Sequence, residues 1–78
     1  MQQRKPTAAD VNVLDRVALV VDLPEYDLWR GRIGTVVEIY DYETFEVEFH
    51  ERDQVIVSLT LRADTLTLLT DPHNLTLH

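Results

Sequence analysis

Hydrophobic and polar residues alternate along most of this chain, which is the two-residue period of a β-strand. The alternation is clearest mid-chain, where Phe45, Val47 and Phe49 are predicted to point inward and Glu46 and Glu48 outward. The same period is found at residues 14–22, 33–40, 55–62 and 66–70. No segment keeps a 3.6-residue period over the length that a helix needs. The pattern therefore predicts an all-β protein with five short strands.

The inward positions of these strands predict the hydrophobic core. The predicted core residues are Val17, Leu19, Val37, Ile39, Phe45, Val47, Phe49, Val57, Leu59 and Leu66. In the second strand, strict alternation places Val37 and Ile39 on the core face and Gly34 on the other face. A glycine within a strand suits a bulge or a sharp bend, so we expect one at Gly34.

Turn signals separate the strands. The longest loop, residues 23–31, contains Pro24, which removes a ladder donor, and Gly31, which tolerates turn conformations. Two polar turns follow, at residues 41–44 and 51–54, and join the second, third and fourth strands into a meander.

The interruption at residues 62–65 is long enough for one 3₁₀ turn before the last strand. Five short strands, a long early loop and one late 3₁₀ turn are the order of elements in a small SH3-like barrel. Closure of such a barrel also protects its edge strands. We assign residues 1–13 to an N-terminal tail, residues 14–70 to an SH3-like barrel domain and residues 71–78 to a C-terminal tail.

Composition narrows the class of protein. The chain has 78 residues, which is enough for one domain with a thin core. Seven basic residues against fourteen acidic ones give a net charge of −7, which disfavours generic binding to nucleic acid. There is no cysteine, no apolar run long enough to span a membrane and no signal-peptide core, so we expect a cytoplasmic protein.

Candidate chemistry is sparse. His50 shares a strand face with Glu46 and Glu48, but no second histidine stands at a spacing typical of metal ligands. Ser58, the only serine, is predicted to face outward and lacks the G-x-S-x-G turn of a nucleophile. We therefore expect no catalytic residues, no metal site and no cofactor.

Two features suggest a protein partner. Tyr26, Leu28 and Trp29 lie in the long loop, where they form either an interface anchor or a lid over the core. Half of the acids fall within sixteen residues, namely Glu38, Asp41, Glu43, Glu46, Glu48, Glu51 and Asp53. Those that point outward form either a solvated face or a docking surface for a basic protein. The partner-binding candidates are Tyr26, Leu28, Trp29, Glu38, Glu46 and Glu48, and a homo-oligomer is also left open.

The chain resembles a known family in two motifs, D-L-P-E-Y at residues 22–26 and G-x-x-G-T-V-V at residues 31–37. These motifs and the flanking strands, about residues 15–69, resemble the small bacterial proteins grouped as the domain of unknown function 4926. The resemblance implies a stand-alone bacterial SH3-like domain without established activity, and a protein partner in an antitoxin-like pairing. Asp27 departs from the family, which commonly has glycine there, so the loop tip is a place where the conformation could differ.

The G-x-x-G-T-V-V segment also resembles the glycine-containing loop and Val-rich strand of the KOW motif in ribosomal and transcription-factor barrels. This resemblance implies an alternative function, a barrel associated with RNA, the ribosome or RNA polymerase. Clustering of the arginines on one face would favour that alternative. Arginines interspersed among carboxylates would favour a protein-interaction module.

Overall fold

The computed structural model of the chain describes residues 10–69. Five strands are present there: β1 (Arg16–Leu19), β2 (Ile33–Asp41), β3 (Thr44–Glu51), β4 (Gln54–Arg62) and β5 (Leu66–Leu68). Two 3₁₀ turns, Pro24–Tyr26 and Ala63–Thr65, are the other regular elements of this part. The predicted all-β fold, with five strands and a 3₁₀ turn before the last one, is confirmed. No helix within residues 10–69 has the length and hydropathy to cross a membrane.

The strands form one antiparallel sheet in the order β4-β3-β2-β1-β5. Strands β2, β3 and β4 make the predicted meander, and β1 pairs with both β2 and β5. Strands β4 and β5 are therefore the two edges of the sheet.

The core lies on one face of the sheet. Its buried members are Val11, Val17, Leu19, Leu28, Val36, Phe45, Val47, Phe49, Leu59, Ala63 and Leu66. Ile39 and Val57 are partly buried and pack against this cluster. The core prediction is therefore confirmed except at Val37, and it missed Val11, Leu28, Val36 and Ala63.

The error at Val37 has a local cause. The β2–β3 register shifts between Val36 and Glu38, so β2 contains one extra residue at this point. Val36 lies opposite Val47 and is fully buried, whereas Val37 is only half-buried. After the bulge, Ile39 lies opposite Phe45, so the inward face changes parity along the strand. The prediction that Val37 is a core residue is wrong because strict alternation cannot anticipate an inserted residue.

Gly34 does not form this bulge. A Cβ atom at Gly34 would lie 2.6 Å from Val47 Cγ1 and 2.9 Å from Phe49 Cε1. The glycine therefore lets β2 approach two core side chains of β3, and the bulge that we expected there lies further along β2.

Residues ahead of β1 also contact the sheet. Val11, which we placed in the N-terminal tail, is buried in the core, and the Leu14 N–H donates to the Val36 carbonyl at 2.6 Å. Strand β1 ends at Leu19, earlier than predicted, since the chain then turns into the long loop. The predicted C-terminal tail, residues 71–78, and residues 1–9 of the N-terminal tail lie outside the described residues.

Candidate protein-binding surface

The loop between β1 and β2 is held together by its own backbone. Leu23 and Leu28 exchange two hydrogen bonds, with N···O distances of 2.8 and 3.2 Å. Between them, Pro24 begins a 3₁₀ turn, where its fixed φ fits and its missing N–H is not needed. Asp27 ends the turn with φ 60° and donates its N–H to the Pro24 carbonyl at 3.0 Å. Asp27 thus has the left-handed conformation that glycine adopts most readily. Aspartate is one of the few other residues that also adopt it, so the loop keeps this conformation without a glycine.

The second half of this loop is anchored to β1. The Asp22 carboxylate accepts a hydrogen bond from the Arg30 N–H at 2.9 Å and lies 3.6 Å from the Arg30 Nε. Gly31, at φ +93°, donates its N–H to the Leu19 carbonyl at 2.8 Å. The Arg32 N–H donates to the Trp29 carbonyl at 3.0 Å. Hydrogen bonds therefore hold the backbone both before Trp29, at Leu28, and after it, at Arg30 and Gly31.

The three apolar candidates of this loop have different environments. Leu28 is fully buried and joins the core, whereas Tyr26 is 47% exposed and Trp29 is 52% exposed. The expectation that Tyr26 or Trp29 stays accessible is confirmed. Leu28 offers no surface to a partner, and its side chain instead fastens the loop to the sheet.

The outer face of the sheet carries the acidic candidates. Glu46 accepts hydrogen bonds from three hydroxyl groups on the neighbouring strands: Ser58 Oγ, Thr60 Oγ1 at 2.7 Å and Tyr40 Oη at 3.2 Å. These bonds hold the pKa of Glu46 below its usual range, and the bond from Ser58 has the largest effect. Partial desolvation and the negative charge of Glu46 raise the pKa of the Tyr40 hydroxyl.

The other two acidic candidates flank Glu46 on this face. Glu38 lies directly opposite Glu46 in the β2–β3 register, and Glu48 lies 3.6 Å from His50 Nε2. Within residues 10–69, no arginine lies within 4 Å of any of the three carboxylates. Hydroxyl donors therefore stabilise the charge of Glu46. Among the described residues, no arginine neutralises any of the three carboxylates.

The acidic stretch also includes turn residues with structural roles. Asp41 Oδ1 accepts a hydrogen bond from the Glu43 N–H at 2.9 Å. This bond is the largest cause of the lowered pKa of Asp41. Glu43 lies 3.6 Å from Arg62 Nη2. These two acids stabilise the β2–β3 turn and its contact with β4.

The sequence reasoning missed the hydroxyl groups around Glu46. Alternation predicted that Ser58 and Thr60 face outward, and they do. Which carboxylate they meet depends on the β3–β4 register, in which Glu46 lies opposite Thr60 and Glu48 opposite Ser58. The alternating pattern alone carries no signal for that pairing.

Four of the five arginines within residues 10–69 fall into two groups, and the fifth, Arg52, lies in the β3–β4 turn. Arg30 and Arg62 face carboxylates of their own chain, Asp22 and Glu43 respectively. Two others share an open groove whose lining residues are Arg16, Gly31, Arg32, Ile33, Thr35, His50 and Asp53. The Arg32 guanidinium donates to the His50 carbonyl at 3.1 Å, which orients it along the groove. In the part of the chain that the structure describes, no group of three or more histidine and acidic residues is arranged to hold a metal ion.

The comparison with known families agrees with these elements. The profile of a family described as a domain of unknown function (DUF4926) matches residues 13–68. The protein belongs to this family. The match spans β1 to β5 and includes the loop with Tyr26 and Trp29. No curated protein and no solved structure matches the chain.

Proposed function

We propose that this protein is a non-enzymatic interaction module that binds a basic segment of a partner protein. The observation that carries the proposal is the exposure of Trp29 on a loop whose backbone is bonded on both sides. Tryptophan and tyrosine are enriched among the residues that dominate binding energy. A loop that is already ordered loses little conformational entropy when it binds. Tyr26 and Trp29 thus have the chemistry and the rigidity of interface anchors.

Charge supports a basic partner. The net charge is −7, and Glu38 and Glu48 face outward without an arginine within reach in residues 10–69. Complementary charge accelerates association and excludes acidic competitors. We place the protein in the bacterial cytoplasm. The basic member of an antitoxin-like pair is one partner with the required charge.

The aromatic part of the proposal is tested with a matched pair of variants. Trp29→Ala and Tyr42→Ala each remove one exposed aromatic side chain, since Tyr42 lies in the β2–β3 turn and is 61% exposed. A partner is first captured from the source cell and purified, and its affinity is then measured by calorimetry. We expect Trp29→Ala to weaken binding at least tenfold and Tyr42→Ala to leave it unchanged. Equal affinity of both variants would exclude Trp29 as the anchor.

The acidic part is tested separately. Glu38→Gln with Glu48→Gln removes two charges from the outer face, and Glu51→Gln with Asp53→Asn removes two charges at the β3–β4 turn. We expect the first pair to lower the association rate more than the second, and the difference to shrink as salt is added. An identical loss in both pairs would mean that only net charge matters.

One observation favours the alternative function, binding to RNA or to an RNA-associated assembly. Arg16 and Arg32 share the groove with His50, so part of the positive charge is gathered on one surface. Asp53 lines the same groove, and the remaining charge of the molecule is strongly negative. Electrostatics therefore support the protein partner over RNA.

A further inference from the structure

The open groove at the start of β2 contains two arginines that no carboxylate of the described chain neutralises. Arg16 and Arg32 both line it, and no carboxylate of residues 10–69 lies within 4 Å of either guanidinium. Arg30 and Arg62, in contrast, each lie 3.6 Å from a carboxylate oxygen. The groove therefore offers two guanidinium groups to an anion of another molecule.

One of these guanidinium groups is already oriented. Arg32 Nη2 donates a hydrogen bond to the His50 carbonyl at 3.1 Å. A guanidinium has five N–H donors, so four are left for a ligand. Because this bond restricts the long side chain before a ligand arrives, binding costs less conformational entropy. Arg32 is thus preorganised to hold a planar anion with two parallel hydrogen bonds.

The rest of the lining combines a hydroxyl, open space and an apolar wall. Arg16 lies directly opposite Thr35 in the β1–β2 register, and both residues line the groove. Gly31 lies on the same groove, where an added Cβ atom would meet no atom within 4 Å. Ile33 is 46% exposed and forms the apolar wall. The groove therefore has donors for an anion, room for a peptide backbone and a contact for one apolar side chain.

The charges around the groove limit the charge of its ligand. Asp53 lines the groove together with the two arginines, which leaves one net positive charge among these three residues. Glu48 lies 3.6 Å from His50 Nε2, so a further carboxylate stands at the border of the groove. A doubly charged phosphate or a chain of phosphates would be repelled by these acids. A single carboxylate matches the lining, and its planar shape matches the guanidinium.

The size of the groove and the charge of the protein favour the end of a peptide chain. A volume of about 720 Å³ is that of a ligand pocket and far exceeds an isolated ion. A C-terminal residue carries its carboxylate and its side chain on the same Cα atom, which suits arginines and Ile33 in one groove. The net charge of −7 disfavours an acidic segment, whereas even a basic chain ends in a carboxylate.

We propose that this groove binds the C-terminal carboxylate of a peptide chain whose last side chain is apolar. Arg32 and Arg16 hold the carboxylate, and Ile33 contacts the last side chain. The proposal goes beyond the binding of a basic partner and does not depend on it, because Trp29, the anchor in that proposal, takes no part.

The first test uses synthetic peptides and the full-length protein, so no captured partner is required. The N-acetylated peptide lysine-glycine-lysine-leucine is titrated as the free acid and as the C-terminal amide, and NMR follows the arginine Nε–H groups. The net charge of −7 attracts the amide more strongly, so a preference for the free acid has to come from the groove. We expect the free acid to bind roughly tenfold more tightly, as for hydrogen bonds to a charged group. Equal affinity of the two forms, or no binding of either, would overturn the proposal.

Arginine variants locate the preference. Arg16→Gln and Arg32→Gln should each remove most of the difference between the free acid and the amide. Arg62→Gln is the matched control, because it also removes one positive charge but lies beside Glu43 and outside the groove. Arg32→Lys should lose the preference as well, since lysine keeps the charge and lacks the planar pair of donors. A preference that survives in both glutamine variants of the groove, or that is lost equally in Arg62→Gln, would refute the site.

A third peptide distinguishes a chain end from an acidic side chain. It is the amide with its glycine replaced by glutamate, so it has the same net charge as the free acid. We expect it to bind no more tightly than the original amide. Binding as tight as that of the free acid would show that the groove accepts any carboxylate and would refute the C-terminal assignment. A single-stranded RNA that displaces the free acid at micromolar concentration would assign the groove to phosphate and refute it too.

Discussion

Single residues on the two faces of β3 decide how its neighbours pack. On the inner face, Val47 and Phe49 come so close to β2 that only Gly34 leaves room for them. On the outer face, the Glu46 carboxylate collects hydroxyl donors from both neighbouring strands. Gly34 contacts side chains of β3, and Glu46 bonds to side chains of β2 and β4. Substitutions at these two positions therefore report on the pairing of neighbouring strands.

Gly34→Ala should destabilise the protein by about 1 to 3 kcal/mol, the usual cost of forcing extra volume into a packed core. The reason is the 2.6 Å approach of the new Cβ to Val47 Cγ1. The free energy of unfolding in urea measures the effect, with Thr35→Ala as a control on the outer face of the same strand. Unchanged stability of Gly34→Ala would contradict the close approach of β2 to β3.

The double variant Ser58→Ala with Thr60→Ala should raise the pKa of Glu46 towards its ordinary value, because two of its three donors are lost. The lowered pKa means that the folded protein binds fewer protons than the unfolded chain. This stabilisation is complete above the pKa of the unfolded chain and is lost as pH falls through the lower pKa of the folded protein. The double variant should therefore lose less stability between pH 7 and pH 3 than the natural protein.

Carboxyl NMR titration of Glu46 measures the shift directly, and urea unfolding at the two pH values measures its consequence for stability. Thr35→Ala, which removes a hydroxyl that does not bond to Glu46, is the control. A Glu46 pKa that stays low in the double variant would mean that the hydroxyl groups are not its cause.

Two departures from simple alternation position candidate surface residues. The bulge in β2 turns Glu38 to the outer face beside Glu46 while Val36 and Ile39 stay inside. The loop between β1 and β2 buries Leu28 and thereby leaves Trp29 outside. In each element, the buried residue determines which polar or aromatic neighbour is exposed.

The bulge predicts unequal effects at two adjacent valines. Val36→Ala should cost about 2 kcal/mol, because it removes two fully buried carbon atoms and leaves a cavity. Val37→Ala should cost less than half of that, since its side chain is only half-buried. Urea unfolding of the two variants compares them directly. The reverse order would restore the unbulged register that strict alternation predicted.

At the scale of the whole molecule, charge is distributed unevenly over a thin sheet. The outer face near the β2–β3 turn carries Glu38 and Glu46, whereas Arg16 and Arg32 line a groove towards the opposite end of β2. The total remains −7. At long range the net negative charge of the protein therefore attracts cationic partners. The two arginines of the groove attract an anionic group only when it is already close, because salt screens their field.

Nucleic-acid binding should consequently be weaker than micromolar at physiological salt. Few cations are available to release counterions from a phosphate backbone. Fluorescence anisotropy with a single-stranded RNA and an RNA hairpin measures this, and Arg16→Ala provides the matched variant. Salt-sensitive micromolar binding that is lost in Arg16→Ala would instead favour the RNA-associated function.

Much of this structure was predictable from the sequence because the determining signals are local. Alternation at Phe45, Val47 and Phe49 predicted both the strand and its buried face, and the polar turns predicted the meander. The exposure of Tyr26 and Trp29 followed from a loop with more apolar side chains than a thin core can accept.

The remaining features depend on pairing between distant segments, and only the tertiary structure decided them. An inserted residue in β2 reversed the burial of Val36 and Val37, because register is a property of two strands together. The β3–β4 register likewise selected Glu46 as the acceptor of the Ser58 and Thr60 hydroxyls. Pattern along one strand determines which way a side chain points. The neighbouring strand determines what that side chain meets.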